Sequence, residues 1–405
     1  MINIAVLGYG TIGSGVVEVI RTNPEVVNHK SGEDINIKYV LDLRDFPGDP
    51  VEKILVHDFN VIVEDPEVQI VVEVMGGTNP AYTFVKKCLE AGKSVCTSNK
   101  ELVAKHGPEL IAIAKEKNIN FMFEASVGGG IPIIRPLNSS LTADKIEEIL
   151  GILNGTTNFI LTKMTDEGWD FETALKTAQD LGYAERNPEA DIEGYDACRK
   201  IAILSSLAFG KYVNFENIYT EGISKITARD IEYAAKMGYA IKLLASSKAE
   251  GDNVFAMVAP FFVPKSHPLY SVNGVFNAIF VKGNVLGDAM FYGSGAGKLP
   301  TASAVVADVV DCARHINENV IVDMSSEELS LTGIENANRR FFVRFEGDFA
   351  SKADEIKKIF GDVQEIKLDG VTDEFAVVTE VMTEKSFDEG AKKLSGIIGR
   401  IRIEG

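Results

Sequence analysis

Asp196 and Lys200 are four residues apart in a stretch, 195–208, whose apolar spacing predicts a helix. Side chains at this spacing share one face of a helix. A lysine beside a carboxylate forms an ion pair, or it serves as an acid/base group toward an alcohol or a carbonyl. Taken alone, the spacing favours a solvated surface salt bridge. A chemical role for the pair therefore has to be argued from the residues around it.

The segment 178–200 surrounds this pair with further carboxylates. It reads AQDLGYAERNPEADIEGYDACRK, with a Gly-Tyr turn and an Asn-Pro breaker ahead of the acidic run. A small residue, Gly-Tyr-Ala, Asn-Pro, then Asp-Ile-Glu-Gly-Tyr-Asp and a lysine four residues later closely resembles the signature of homoserine dehydrogenases. The match is long and ordered, so it is specific to that family.

The resemblance implies a role for each polar residue of the pattern. Lys200 is implied as the acid/base group, Asp196 orients the substrate, and Lys100 is a second catalytic candidate that polarises the carbonyl oxygen. For each acid the alternative is a solvated loop or helix charge. The substrate-binding residues are then Glu185, Asp191 and Asp196 toward the ammonium group, with Gly155 and Thr156 toward the carboxylate.

A glycine turn near the N-terminus predicts a dinucleotide site. The apolar run 2–7 is followed by Gly8-Tyr-Gly-Thr-Ile-Gly and then by helical spacing. Strand, glycine turn and helix in this order are the context in which G-x-G-x-x-G binds a pyrophosphate. A tight turn without a ligand is the alternative. In the ligand-binding interpretation the contacts come from Gly8, from Gly10, which lets the pyrophosphate approach, and from the N–H groups of Thr11, Ile12 and Gly13.

The end of the second predicted strand carries two residues with opposite cofactor preferences. Asp42 would accept hydrogen bonds from the adenosine ribose and repel a 2′-phosphate, whereas Arg44 would attract that phosphate. Both lie further from the glycine turn than usual, because the polar stretch 23–34 is inserted. The sequence therefore predicts NAD or NADP as the cofactor and leaves the preference open.

Three further stretches resemble cofactor-contacting segments of homoserine dehydrogenases. They are MGGTNP at 75–80, SNKELVA at 98–104 and GSGAG at 293–297. The first two follow predicted strands, so they lie at the carboxyl edge of a parallel sheet, where ligands bind in this kind of fold. The resemblance implies cofactor contacts at Thr78, Lys100, Gly182 and Gly297.

The segment FEASVGGGI at 123–131 resembles the cation-binding loop of the same family. The resemblance implies a monovalent cation, sodium, bound by oxygen atoms of Glu124, Val127, Gly129 and Ile131. Oxygen ligands on a glycine-bent loop suit a hard cation. The alternative is a hinge whose glycines serve only geometry.

Two α/β domains are predicted to position these residues. Alternating strands and helices predict a parallel Rossmann sheet for 1–125, completed by a returning helix at 302–318. Residues 126–301 are expected to form an α+β catalytic and dimerisation domain with a mixed sheet. Its predicted helices are 134–141, 158–167, 171–181 and 195–208, and its predicted strands are 145–153, 253–263, 274–281 and 284–292.

The tail is predicted to be a separate module after a polar linker, 325–338. Over 339–405 its pattern reads β-α-β-β-α, most of a ferredoxin-like fold, and it resembles the ACT regulatory domain. The Asp-x-Pro-Gly turn usual in that domain is replaced by Glu346-Gly-Asp-Phe-Ala. Ligand sensing and dimer contact are both open as roles. Removing the module near Ser325 is expected to leave a soluble enzyme.

The composition narrows the classes of partner and compartment. A formal charge of -18 over 405 residues disfavours nucleic acid and anionic membranes. The four cysteines form no C-x-x-C pair, which is typical of a reducing compartment. No apolar run approaches the ~20 residues of a membrane span. We expect a cytoplasmic protein, and the resemblance implies a homodimer or higher homo-oligomer acting on L-homoserine or L-aspartate 4-semialdehyde.

Two rival functions are weighed against this resemblance. Aspartate semialdehyde dehydrogenase shares the fold type but needs a nucleophilic cysteine with a partner histidine, and no cysteine here has that setting. A sensor without catalysis would have no use for Lys100, Lys200, Asp196 and Glu185 together. Because no kinase segment precedes Gly8, the monofunctional form of the enzyme is expected rather than its fusion with aspartokinase.

Overall fold

The structure, a computed structural model, describes residues Met1–Gly405. The chain forms two compact units. The first comprises 1–146, 199–216 and 282–329, and the second comprises 147–198, 217–281 and 330–405. None of the helices combines the length and the apolar character that crossing a membrane requires. The three domain bounds expected from the sequence stay a prediction.

Strands and helices alternate along most of the chain. The strands are β1 (Ile2–Leu7), β2 (Ile35–Leu41), β3 (Leu55–Val56), β4 (Val68–Glu73), β5 (Ser94–Thr97), β6 (Phe121–Met122), β7 (Ile146–Ile152), β8 (Lys211–Tyr212), β9 (Tyr219–Thr220), β10 (Tyr239–Glu250), β11 (Asn253–Pro264), β12 (Phe276–Gly283), β13 (Gly287–Ser294), β14 (Ser325–Glu328), β15 (Asn338–Glu346), β16 (Val363–Ile366), β17 (Glu374–Thr379), β18 (Met382–Thr383) and β19 (Ile397–Ile403). The helices are α1 (Thr11–Thr22), α2 (Pro24–Ser31), α3 (Asn60–Val63), α4 (Ala81–Glu90), α5 (Lys100–Glu116), α6 (Gly155–Asp166), α7 (Phe171–Asp180), α8 (Glu189–Ile192), α9 (Tyr195–Phe209), α10 (Ala228–Met237), α11 (Lys298–Arg314), α12 (Phe349–Phe360) and α13 (Glu384–Ala391).

The first unit is built on six parallel strands in the order β3-β2-β1-β4-β5-β6. This strand order is that of a doubly wound dinucleotide fold, and it confirms the predicted Rossmann sheet. Helix α11 returns late in the chain and packs against α1. A Cβ atom at Gly15 of α1 would lie 3.0 Å from both the Ala302 Cβ and the Lys298 carbonyl oxygen of α11, so a glycine is needed there for the close approach.

Two helix boundaries in the first unit differ from the expectation. The sequence predicts a helix over 108–117, whereas α5 begins at Lys100 and runs through Pro108. Asn99 caps this earlier start by accepting a 3.1 Å hydrogen bond from the Leu102 N–H. The polar stretch 23–34 was interpreted only as an insertion, with no helix predicted in it, and it contains α2. A proline at the first helical position and Gly32 with φ of 78° after the last one are the start and stop signals that this expectation overlooked.

The second unit is built on a mixed sheet, as predicted, in the order β12-β7-β10-β11-β19-β15-β17-β16. The neighbours β7–β10, β10–β11, β15–β19, β15–β17 and β16–β17 are antiparallel, whereas β11 pairs in parallel with β19 and also with the short strand β9. The longest pairing is the hairpin of β10 and β11. Most of the predicted elements of this region lie within a few residues of the observed ones. The predicted helix 134–141 is present in the first unit as a short helical segment over 134–140, and its last five residues, Pro136–Ser140, are π-helical.

Strand β10 and helix α10 were not predicted at all. Lys242, in the middle of β10, interrupts the apolar alternation, yet its side chain is 2% exposed. Its ammonium group donates to the Val272 carbonyl oxygen at 2.6 Å and to Asn273 Oδ1 at 2.7 Å. Burial lowers the pKa of Lys242 to about 8. Helix α10 starts at a capping box formed by Thr227 and Asp230, a signal present in the sequence.

The tail has the predicted β-α-β-β-α succession and two further strands, the two-residue β18 before α13 and, after it, β19. That strand pairs with β11 in register Phe261 to Arg402 and Phe262 to Ile403. The tail is therefore hydrogen-bonded into the same sheet as the preceding segments of the second unit. The expected linker is not free of structure, because its first residues form β14, which pairs with β8 inside the first unit.

Candidate active site

The glycine turn of the first unit has the geometry of an anion-binding site. A Cβ atom at Gly13 would lie 1.9 Å from the Gly8 carbonyl oxygen, and Gly8 itself has φ of 97°. A Cβ at Gly10 would meet nothing within 4 Å, and no side chain caps α1. Gly8 and Gly13 thus shape the turn, whereas Gly10 leaves open space in front of the helix. The first N–H groups of α1, from Thr11, Ile12 and Gly13, are available there to a diphosphate.

A cleft of about 590 Å³ opens in front of this turn. Its volume is in the range of small-molecule sites. It lies wholly within the first unit and combines the turn with the ends of β2 and β4, so a dinucleotide fits the residues that line it. These include Gly8, Gly10, Asp42, Leu43, Arg44, His57, Phe59, Met75, Gly76, Asn79 and Pro80.

Asp42 and Arg44 are tied to each other at one end of the cleft. The Asp42 carboxylate accepts from Arg44 Nε and Nη2, both at 2.9 Å, and from the Tyr9 N–H at 2.8 Å. The Arg44 guanidinium holds the pKa of Asp42 well below its usual range. Both charges line the cleft at the carboxyl end of β2, where the adenosine ribose binds in a doubly wound dinucleotide fold.

The carboxyl ends of β4 and β5 are connected by buried polar side chains that the sequence analysis did not single out. Glu73 accepts from Thr97 Oγ1 and from the Met75 N–H, each at 2.7 Å, and burial raises its pKa. Asn99 donates to the Gly77 carbonyl oxygen at 2.6 Å while capping α5. These bonds hold the turn that carries Thr78 next to Lys100, the first residue of α5.

Two glycine loops of the first unit pack backbone against backbone. A Cβ at Gly129 would lie 2.4 Å from the Gly295 carbonyl oxygen, and the Gly130 N–H donates to the Ser294 carbonyl oxygen at 3.0 Å. Gly297 follows directly, with φ of 116°, as the residue before α11. The predicted cation loop, 123–131, is therefore in direct contact with the segment 293–297, which we call the late cofactor loop.

Glu124 has a second role within the predicted cation loop. Its carboxylate accepts from the N–H groups of Ile133, Ile134 and Arg135 at 2.6 to 2.8 Å, so it caps the turn that follows. The loop itself supplies carbonyl oxygens at Val127, Gly129 and Ile131. No group of three or more His, Cys, Asp or Glu side chains in the protein has a metal-binding arrangement. A cation here would thus depend mainly on carbonyl oxygens, which suits a hard ion.

In the second unit, the start of α6 is a candidate carboxylate site. Asn154 Oδ1 accepts from the Thr157 N–H at 2.9 Å, and the Asn154 carbonyl oxygen accepts from the Asn158 N–H. The N–H groups of Gly155 and Thr156 remain at the positive end of the helix. A Cβ at Gly155 would lie 2.7 Å from the Val275 carbonyl oxygen, so no other residue fits without a shift.

Asn154 also joins two of the predicted substrate-binding acids. Its amide nitrogen donates to Asp191 Oδ1 at 2.7 Å and to Asp196 Oδ2 at 2.9 Å. The structure therefore brings Asp191 and Asp196 together beside the start of α6. Glu185 is exposed, and its carbonyl oxygen accepts from Gln179 Nε2. Gly182 lies just after α7 with φ of 75°.

Asp196 and Lys200 are one turn apart on α9, as predicted. Their relative exposures are 5% and 9%. A solvated surface salt bridge is therefore the wrong interpretation of the pair. Two charged side chains at neighbouring buried positions are costly unless they have a function or well-placed partners.

Comparison with known proteins agrees with this arrangement. Residues 8–124 match the family description "Homoserine dehydrogenase, NAD binding domain", and residues 132–310 match "Homoserine dehydrogenase". The homoserine dehydrogenase of Pseudomonas aeruginosa is 36% identical, over 100% of this chain and 99% of that protein. That of Lactococcus lactis is 43% identical, over 83% of this chain and 79% of that protein. The chain belongs to the homoserine dehydrogenase family.

Solved homoserine dehydrogenase structures share the fold, in one case over the whole chain. The crystal structure from Thiobacillus denitrificans has a TM-score of 0.91 at 37% identity and covers 100% of this chain and 98% of that one. A hyperthermophilic archaeal homoserine dehydrogenase in complex with NADPH has a TM-score of 0.66 at 30% identity, over 77% of this chain and 97% of that one. By family, then, this is an NAD(P)-dependent oxidoreductase with an NAD-binding domain.

Sequence reasoning assigned no role to the side-chain amides of Asn154 and Asn99, or to the buried pair Glu73 and Thr97. Asn154 and Asn99 each cap a helix with the side-chain oxygen and reach a candidate site with the side-chain nitrogen. An asparagine directly before a helix was a visible signal for the cap. The second contact of each amide depends on tertiary structure, so no local pattern indicates it.

Proposed function

We propose that this chain interconverts L-homoserine and L-aspartate 4-semialdehyde with NAD or NADP, a step in the biosynthesis of threonine, methionine and isoleucine. The observation that carries the proposal is that the buried Asn154 side chain holds the partly buried Asp191 and the buried Asp196 together at the start of α6. Such a group offers carboxylates for an ammonium and helix N–H groups for a carboxylate, which are the two charged ends of an α-amino acid.

We assign the proton transfer and the polarisation at the reacting end of the substrate to two lysines. The bound nicotinamide would exchange a hydride with the alcohol carbon. Lys200 would take the hydroxyl proton during oxidation and return it during reduction. Asp196, one turn earlier on α9, would orient the substrate. Lys100, at the start of α5, would polarise the carbonyl oxygen.

The amino-acid end is assigned to the second unit. Asp191 and Glu185 would bind the ammonium group, and the N–H groups of Gly155 and Thr156 would bind the carboxylate. The cofactor would be bound by the glycine turn, Asp42, Arg44 and Thr78, with Gly182 and Gly297 as further contacts. The cleft in front of the turn supports this assignment.

The test is oxidation of homoserine followed by the absorbance of the reduced nicotinamide. Replacing Lys200 by Ala should lower kcat by about 10²- to 10⁴-fold, the usual contribution of an acid/base group, with cofactor affinity unchanged. Lys176→Ala, at an exposed lysine, is the control. Near-normal kcat in Lys200→Ala would refute the assignment of the acid/base group, and no turnover in the unmodified protein would refute the function.

Sodium is proposed as a structural ion of the loop 124–131. The contact of this loop with Gly295 and the capping bonds of Glu124 support a role in stabilising the late cofactor loop. Tm and cofactor affinity should be higher in sodium chloride than in choline chloride at the same ionic strength. Equal values in the two salts would argue for a hinge without an ion.

The segment 339–405 is proposed to be a ferredoxin-like, ACT-type module that also favours a homodimer or higher homo-oligomer. Its β-α-β-β-α-β succession, with the sheet order β19-β15-β17-β16, supports this proposal. Because Glu346-Gly-Asp-Phe-Ala replaces the usual ligand turn, we expect weak or no inhibition by threonine. Strong inhibition on titration with threonine would show that the module senses an effector.

A further inference from the structure

Two strands share one edge of β11 in the second unit. Strand β9 pairs with Met257 and Val258, and β19 pairs with Phe261 and Phe262, both in the parallel direction. The chain leaving β9 and the side chains of β19 therefore meet along the same edge. Glu221, the first residue after β9, donates its N–H to the Val258 carbonyl oxygen at 2.8 Å and continues along that edge.

An ion cluster joins the two strands at this meeting point. Arg402 of β19 donates to Glu221 Oε2 at 2.7 Å, and its other nitrogens donate to both oxygens of Glu384 at 2.5 and 2.8 Å. Arg400 lies 3.4 Å from the same Glu221 oxygen. Arg402 is 2% exposed and Glu384 is 4% exposed. Arg402 lowers the pKa of Glu221 despite partial burial, so Glu221 is ionised at neutral pH.

The residue after Glu221 touches the candidate substrate segment. A Cβ at Gly222 would lie 2.3 Å from the Ile192 carbonyl oxygen and 2.5 Å from the Glu193 Cα. The Ile223 N–H donates to the same Ile192 carbonyl oxygen at 2.8 Å. Backbone thus packs on backbone immediately after Asp191, with no flexible side chain in between to absorb a shift.

Asp191 is consequently held from two sides. Asn154 binds its carboxylate on one side, and the Gly222–Ile223 backbone supports the following residue on the other. We propose that Glu221 and Arg402 are positioning residues for the substrate carboxylates, so that the last strand of the chain sets the geometry of the amino-acid site. This inference rests on the proposed function, because it assumes that Asp191 and Asp196 bind the substrate.

The same unit contains a second ion cluster that serves as a matched control. Arg344 binds Glu374 at 2.7 Å and Asp230 at 2.9 Å, and Arg229 lies 3.4 Å from Glu374. Glu374 therefore has two arginines at the same distances as Glu221 has. Its cluster joins β15 and β17 to α10.

The experiment compares Glu221→Gln with Glu374→Gln in the full-length protein. Both changes keep the side-chain shape and remove one charge from a partly desolvated cluster, so both should lower Tm. Only Glu221→Gln should raise the KM for homoserine, by about tenfold, since small misplacement of a binding group has effects of that order or larger. The KM for the cofactor should stay unchanged in both. Arg402→Lys, which keeps the charge but not the two-pronged geometry, should give an intermediate KM for homoserine.

Three outcomes decide the inference. A KM for homoserine that rises only in Glu221→Gln supports it. Equal values in Glu221→Gln and Glu374→Gln overturn it, since the cluster would then contribute stability alone. Asp191→Asn separates this failure from failure of the proposed function. If Asp191→Asn raises the KM and Glu221→Gln does not, Asp191 binds substrate without depending on the last strand, and only the present inference is lost.

Discussion

The candidate sites of the two units differ in how they are formed: the first from a local backbone turn, the second from side chains that are distant in sequence. In the first, the cofactor turn is closed within the six residues 8–13, and its shape follows from backbone atoms that leave no room for a Cβ. In the second, Asn154 forms the site by reaching Asp191 and Asp196, 37 and 42 positions further along the chain. A local backbone turn survives changes elsewhere in the fold, whereas a site made of distant side chains depends on the whole sheet that aligns them.

The β-sheets of the two units also differ in how far apart in sequence their paired strands lie. Each edge of the first sheet is reached by short parallel crossovers, and the pairing follows chain order outward from β1. The central pairing of the second sheet joins β11 to β19, which lies at the end of the chain. We therefore expect a substitution in the first unit to disturb only its own surroundings. A change in the second sheet should disturb the whole second unit.

Removing 330–405 should have the largest effect. The change strips β15, β17 and β19 from the sheet and exposes Phe262, which is fully buried and stacks on Phe342 at 4.6 Å. This loss should exceed the roughly 5–15 kcal/mol by which a typical domain is stable. We expect no folded second unit by circular dichroism, contrary to the tolerance expected from the sequence. A soluble truncated enzyme with an unchanged KM for homoserine would show that the tail is separable after all.

Gly13→Ala and Gly10→Ala should distinguish the glycine that shapes the turn of the first unit from the glycine that leaves space for the cofactor. At Gly13 the new methyl group would overlap the Gly8 carbonyl oxygen, so Tm should fall, with a cost of about 3 kcal/mol or more. At Gly10 the methyl group meets no protein atom, so Tm should be nearly unchanged while cofactor affinity falls. Thermal melts and cofactor titrations measure both. Equal melting temperatures for the two variants would contradict the backbone origin of the turn.

Asn154→Ala should weaken the binding of homoserine, and Asn99→Ala should weaken the binding of the cofactor. Each change removes a helix cap, at a cost of about 1 kcal/mol in stability. Asn154→Ala should raise the KM for homoserine because Asp191 and Asp196 lose their shared donor. Asn99→Ala should raise the KM for the cofactor because the Gly77 turn loses its anchor. If either variant raises both constants equally, the two sites are not built independently.

Asp42→Asn should have the smallest effect, seen only in the ratio of cofactors. Loss of the charge frees Arg44 from its ion pair and removes repulsion toward a 2′-phosphate. The kcat/KM for NADP relative to NAD should rise by roughly tenfold, or about 1.4 kcal/mol. An unchanged ratio would show that the ribose end of the cofactor does not lie beside Asp42.

These differences explain how far sequence reasoning reached. The glycine turn, the parallel sheet of alternating strands and helices in the first unit, and the helix holding Asp196 and Lys200 follow from local spacing, and all were predicted. Strand β10 was not predicted because Lys242 interrupts its apolar pattern. The carbonyl and amide oxygens that allow this lysine to be buried lie on a loop distant in sequence. The second bond of Asn154 and the pairing of β19 with β11 depend on contacts far apart in sequence. No periodicity in a single segment contains that information.

The place of β19 at the end of the chain has a consequence for synthesis on the ribosome. Phe261 and Phe262 are made long before Arg402 and Ile403, with which they pair. At about 5–20 residues per second, the edge of β11 stays without β19 for a time on the order of ten seconds. An unpaired apolar edge is prone to pair with other chains. During this interval the nascent second unit therefore has an unpaired apolar edge on β11, while the parallel sheet of the first unit already has all six strands outside the ribosome.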